Sequence, residues 1–216
     1  MRNPYREWIG AQIRGDFFGY AAAGNPLLAA ELAWRDARLS HVKNGIYGEM
    51  WVAGMLAYAA VAPTPEMLPV IQAGLACIPP ESRLSRSIRK MIERYQAGHS
   101  WQQVAAAIHQ EWDENKRHHW CHTISNAEIV TLALLWGEND AVRTLALAVY
   151  PAFDTDCNGA TAGSVFGMLH GKNAFPRYLS EPLRDTIYSG VAGYHKVAIG
   201  DMVEQTLALI RQRPDL

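Results

Sequence analysis

Apolar residues recur along this chain at three- and four-residue spacings, and the breaks between the runs carry capping residues, not the alternation of a half-buried strand. That pattern predicts an all-α fold. Asn25-Pro26 reads as an N-cap followed by a first-turn proline, opening a helix to about Arg38. Thr64-Pro65 reads the same way for a helix to about Ile78, stopped by Pro79-Pro80. Ser100-x-x-Gln103 and Ser125-x-x-Glu128 both have the spacing of a capping box, each ahead of an apolar periodic run. Residues 45 to 62 are apolar on most sides but too short and interrupted to cross a bilayer, so a buried central helix is expected there. Further helices are predicted over 83–96, 140–150, 159–170 and 200–212. With no internal repeat, low-complexity stretch or linker, residues 1–216 are expected to form one domain.

Composition narrows the function. The 216 residues, 49% hydrophobic and 19% charged, are enough for one substantial core. Twenty Lys and Arg stand against 21 Asp and Glu, so the whole molecule lacks the positive field that nucleic acid or an anionic membrane calls for, and neither is an expected partner. Three distant cysteines, Cys77, Cys121 and Cys157, do not make a disulfide framework and fit a reducing compartment. The polar start shows no secretory signal, and no run reaches about 18 apolar residues. A cytoplasmic protein is expected.

One short segment concentrates the chemistry. Residues 153–163, FDTDCNGATAG, place Asp154 and Asp156 at the mouth of a run of small residues. Asp154, Asp156, Asn158 and Gly159 fit the first positions of a calcium loop, but Ala162 and Val165 stand where the ninth and twelfth ligands belong. The pair could also simply cap a helix. Against that, Gly159, Gly163, Gly167 and Gly171 form a four-residue stripe, and each interior glycine costs about 1 kcal/mol relative to alanine. Close approach of another backbone would offset this cost, burying the helix and leaving two carboxylates in need of compensation. The preferred reading is a hard-cation site, of Mg²⁺ or Mn²⁺ type, on Asp154 and Asp156. The histidine-rich segment 116–123, with His118, His119, Cys121 and His122, has no recognised zinc spacing and is read as packing at a loop-to-helix junction.

The segment DTDCNGATAGS resembles the C-terminal metal motif of the ADP-ribosylglycohydrolase family, in which D-x-D precedes a hydroxyl or thiol residue, Asn and an Ala/Gly-rich helix. The similarity extends through 6–20, 28–50, 119–140 and 189–196. It implies an α-helical hydrolase that binds two Mg²⁺ ions and cleaves the bond at the anomeric carbon of an ADP-ribosyl group. By this resemblance Asp154 and Asp156 are metal ligands, and Cys157 stands where the family often has a hydroxyl. Ser40, His41, Gly45, Ile46, Tyr47 and Gly48 fall where the family lines its ADP-ribose cleft, with glycine N–H groups for phosphate oxygens and Tyr47 as a stacking ring.

The family's other acidic segment, Thr-Asp-Asp, has no counterpart, since no Asp-Asp occurs in the sequence. The chain therefore reads as the C-terminal portion of such a domain. The resemblance implies an ADP-ribosylated protein or a small ADP-ribose derivative as substrate, and self-association or a partner chain to complete the site. It leaves the catalytic residues unidentified. The alternative is a non-catalytic ADP-ribose-binding or assembly protein.

Overall fold

A computed structural model describes residues 3–212 of the chain. A 3-10 turn, Gln12–Arg14, leads into α1 (Asp16–Ala21), α2 (Pro26–Ala37), α3 (Asn44–Ala59), α4 (Met67–Ala76), α5 (Arg83–Gln96) and α6 (Trp101–Glu111). Then come α7 (Thr123–Trp136), α8 (Ala141–Val149), α9 (Thr155–His170), α10 (Arg177–Ser180), the three-residue strands β1 (Thr186–Tyr188) and β2 (Lys196–Ala198), and α11 (Ile199–Gln212). The strands form one antiparallel ribbon, Ile187 opposite Val197. The fold is all-α, as the periodicity predicts.

Two helices make the centre. All fourteen residues of α7 are buried, and twelve of the sixteen in α3. Around them α4, α5, α8 and α9 contribute one apolar cluster that includes Trp51, Leu56, Ile71, Ile88, Leu132 and Phe166. A second, smaller cluster is built from Ala22, Ala29, Ala33, Ala53 and Ala57, whose short side chains let α2 lie close against α3. From Gly171 onward the character changes, and no described residue is buried. No helix among the described residues is long and apolar enough to cross a membrane.

Several boundaries follow the sequence closely. Asn25 Oδ1 accepts from the N–H of Leu28, and Ser100 and Gln103 form both halves of a capping box. The other predicted box is absent. His122 caps α7, its Nδ1 accepting from Ile124 N–H at 3.1 Å, while Ser125 and Glu128 lie inside the helix and are buried. Ser125 Oγ donates to the carbonyls of His119 and His122, and Glu128 accepts from Ser87 on α5. Polar residues bonded inside a core thus imitated a helix start. Likewise α4 begins at Met67, two residues past Thr64-Pro65, and α9 begins at Thr155, four residues before Gly159.

The glycine stripe of α9 also differs from expectation. A Cβ added at Gly159, Gly163 or Gly167 would meet the side chains of Val149, Leu145 and Phe175 at 3.5, 3.2 and 3.2 Å, with no foreign backbone nearby. Gly171 ends the helix at φ +78°, where its missing Cβ relieves backbone strain. The stripe is half-buried, and the buried face of α9 is instead Asn158, Thr161, Ala162, Val165 and Phe166.

Candidate functional site

Asp154 occupies the N-cap position of α9, yet its side chain makes no capping hydrogen bond. The carboxylate is buried, 7% exposed, and its Oδ2 accepts instead from Cys121 Sγ at 3.0 Å. Asp156, in the first turn, is exposed, and Cys157 is half-buried. One ligand atom from each of Asp154, Asp156 and Cys157 lies within 4.8 Å of the others, and this is the one such cluster among the described residues. Two ligands trans across a single Mg²⁺ stand about 4.2 Å apart. The cluster is therefore wider than the shell of one hard cation, and binding would draw the three groups closer together. Burial, followed by the hydrogen bond with Asp154, pushes the Cys157 thiol up to about 12, so it is a neutral sulfur beside two hard oxygens. The donor set fits one divalent cation with waters completing its shell; a second cation needs further oxygen ligands.

The backbone leading into Asp154 is held in an unusual shape. Ala152 and Phe153 both take left-handed conformations, at φ +62° and +60°, which cost on the order of 1 kcal/mol each for such residues. Paired left-handed residues also occur at Glu138-Asn139 and Arg184-Asp185, so the shape alone marks no site. What distinguishes the first pair is its anchoring. Asn126 Oδ1, inside α7, accepts from Asp154 N–H at 3.1 Å and from Asn158 Nδ2 at 2.8 Å. Asn126 Nδ2 donates to the carbonyls of Trp120 and His122. All four hydrogen-bonding positions of one buried amide thus tie the histidine-rich segment to the acidic one.

The histidines of that segment point to separate tasks. His119 Nδ1 accepts from Asp113 N–H, His122 caps α7, and Cys121 faces Asp154. The packing reading of this segment is the one the structure supports.

Ser40 and His41 lie between α2 and α3. Ser40 Oγ is 2.8 Å from His41 Nδ1 and accepts from Arg14 at 3.1 Å, while Arg14 also pairs with Asp36 at 2.5 Å and donates to Gly10 O at 3.0 Å. Burial and then the Arg14 charge hold the His41 ring below its ordinary value, so it is a neutral imidazole near pH 7. Gly10 faces His41, at 3.6 Å from an added Cβ to Nε2, and its neighbour Ile9 donates to the Cys121 carbonyl at 2.8 Å. A short path, Asp154 to Cys121 to Ile9-Gly10 to His41, therefore joins the acidic pair to the Ser40-His41 pair.

The other predicted substrate residues serve differently from the expectation of free N–H groups. Gly45, Ile46, Tyr47 and Gly48 form the first turns of α3. Gly45 N–H donates to Val42 O, and an added Cβ there would meet the Arg6 carbonyl at 2.5 Å. A Cβ at Gly48 would lie 2.5 Å from Thr123 and 2.9 Å from Gln12 Oε1. These glycines allow α3 to touch the 6–12 segment and the start of α7. The Tyr47 ring packs against the core.

Between these parts the interior is polar and incompletely paired. Gln12, Glu49, Asn158 Oδ1 and Thr161 Oγ1 are buried without hydrogen-bond partners on those atoms. Burial, then the charge of nearby Asp36, pushes Glu49 up to about 8, so it is largely neutral at pH 7. Sequence reasoning missed Asn126 and Glu49, and it placed Cys121 only among the packing residues of the histidine-rich segment. The available signal for Asn126 and Glu49 was chemical: polar residues set within strongly apolar helical runs.

The chain belongs to the ADP-ribosylglycohydrolase family, whose model matches residues 3–214. That family consists of metal-dependent hydrolases, and Asp154, Asp156 and Cys157 form a cluster of groups that could hold a metal ion. No curated protein and no solved structure matches it.

Proposed function

We propose that the chain acts on ADP-ribosyl glycosidic bonds, releasing ADP-ribose from a modified protein or a small ADP-ribose derivative, with Mg²⁺ or Mn²⁺ held by Asp154 and Asp156. The observation that carries this reading is a buried carboxylate at a helix N-terminus that declines the cap and converges with Asp156 and Cys157. A bound cation supplies Lewis-acid polarisation of ribose hydroxyls and orientation of water. The chain's own residues bind and orient. Asn126 fixes the direction of Asp154, and neutral His41, backed by Ser40 and Arg14, offers hydrogen bonds to sugar or phosphate oxygens. Gly45, Ile46, Tyr47 and Gly48 shape the wall behind them. A second cation would need further oxygen ligands, which a partner chain or a second copy could supply. The three free cysteines support a cytoplasmic location.

The test is ADP-ribose release from ADP-ribosylated protein or arginine, with and without Mg²⁺, alone and with any neighbouring gene product. Turnover lost in Asp154→Asn and Asp156→Asn is expected. No release and no ADP-ribose binding under any of these conditions would end the proposal. A second reading, a non-catalytic ADP-ribose-binding protein, is favoured by Cys157 in the hydroxyl position and by the lack of any Asp-Asp. Calorimetric titration that finds Mg²⁺-dependent ADP-ribose affinity without turnover selects it.

A further inference from the structure

Two cavities meet on the face formed by α5 and the loop before α3. One, of about 380 Å³, is lined by Arg6, Glu7, Trp8, Lys43, Arg83 and His122 among others. The second, of about 320 Å³, is lined by Arg83, Arg86, Lys90, Glu111, Trp112 and Glu128 among others. Arg83 belongs to both, and His122 of the first stacks on Trp112 of the second at 5.0 Å. They are two halves of one groove, and neither includes Asp154, Asp156 or His41.

The groove is cationic in a molecule that is not. Arg83, Arg86 and Lys90 fall on one stripe of α5, and Arg6 and Lys43 continue it. Of the three carboxylates present, Glu7 pairs with Arg83, and Glu111 with Lys90 at 3.0 Å. Glu128 is buried beneath Ser87, and burial raises it to about 7, so part of its charge is missing near neutrality. Arg6, Lys43 and Arg86 are exposed, and among the described residues none of the three has a carboxylate partner.

We infer that this groove docks an acidic polypeptide segment, with side-chain carboxylates on Arg6, Lys43 and Arg86 and apolar side chains against Trp8 and Trp112. The arrangement of charge chooses this occupant over nucleic acid. The cations alternate with fixed carboxylates, which a uniformly charged phosphate backbone would meet at every step. The guanidinium forks of Arg6 and Arg86 can each hold a carboxylate once such a segment is seated. The inference is independent of the reaction proposed above, because it concerns a face that excludes the acidic pair.

Fluorescence anisotropy of the whole chain with a labelled twelve-residue Glu-rich peptide containing two Leu tests this. Binding is expected to weaken with added salt, and by about tenfold in Arg86→Glu and again in Arg6→Glu. Arg35→Glu, in the surface pair with Glu31 on α2, should leave it unchanged. Circular dichroism confirms that each variant keeps its helices. No peptide binding at low salt, equal loss in Arg35→Glu, or tighter binding of a single-stranded oligonucleotide lost in the same two variants would each overturn the inference.

Discussion

Helices α7 and α11 each run fourteen residues and share the tetrapeptide Thr-Leu-Ala-Leu, at 131–134 and 206–209. In both the threonine hydroxyl donates to the carbonyl four residues back, Thr131 to Ala127 at 2.7 Å and Thr206 to Met202 at 2.9 Å. Their surroundings are opposite. Leu132 is wholly buried, whereas Leu207 is 37% exposed on a helix with no buried residue. Local sequence has set the same helical geometry twice, and neighbours alone decide what each leucine contributes. In α7 those neighbours are chiefly α5, α8 and α9, with α6, α3 and α4 beside them; α11 touches mainly α1 and its own ribbon.

Four substitutions test that contrast. Leu132→Ala should cost about 4 kcal/mol, because a close-packed interior cannot collapse into the space left; urea unfolding measures it. A loss below about 1 kcal/mol would mean that α7 is less tightly enclosed than its burial implies. Charge should be penalised in the same interior. Glu49 has its carboxyl raised to about 8 from an ordinary 4.5, so the stability its neutral form allows is complete below pH 4.5 and is lost as pH rises through about 8. Glu49→Gln removes that dependence. Its unfolding midpoint should track the parent near pH 4.5 and exceed it at pH 9 by an amount worth roughly 3 kcal/mol. Parallel curves across this range would refute the buried-acid account.

Asn126→Ala removes four hydrogen bonds around Asp154 and strands the Asp154 N–H, for an expected loss of about 2 kcal/mol. The same variant should weaken Mg²⁺ binding measured calorimetrically; unchanged affinity would show that Asp154 needs no bracket. The smallest effect belongs to Leu207→Ala, less than about 1 kcal/mol in urea unfolding, since much of that side chain already meets water. A cost equal to that of Leu132→Ala would place a partner over α11 in solution.

The features legible from sequence were those governed by nearby residues. α5 spans the predicted 83–96, and Asn25 and Ser100 cap as read, because a capping side chain bonds within three residues of itself. The Ser125 and Glu128 pattern misled because the same residue types also bond inside a core, and only the arrival of Ser87 from α5 distinguishes the two. β1 and β2 escaped notice because strands of three residues, none of them buried, are too short to show a periodicity. The site divides the same way. Spacing brought Asp154 and Asp156 forward, but Cys121 and Asn126 reach them from 33 and 28 residues away, across helices whose packing no short motif encodes.

The contact at Gly45 has a mechanical consequence. With no side chain between them, the start of α3 and the chain at Arg6 meet backbone to backbone, and the next residues of that chain bond through Ile9 to Cys121 beside the acidic pair. Any tilt of α3 is thereby geared to the carboxylates. A side chain placed at position 45 would therefore be expected to disturb the segment that bonds Cys121 as well as the start of α3.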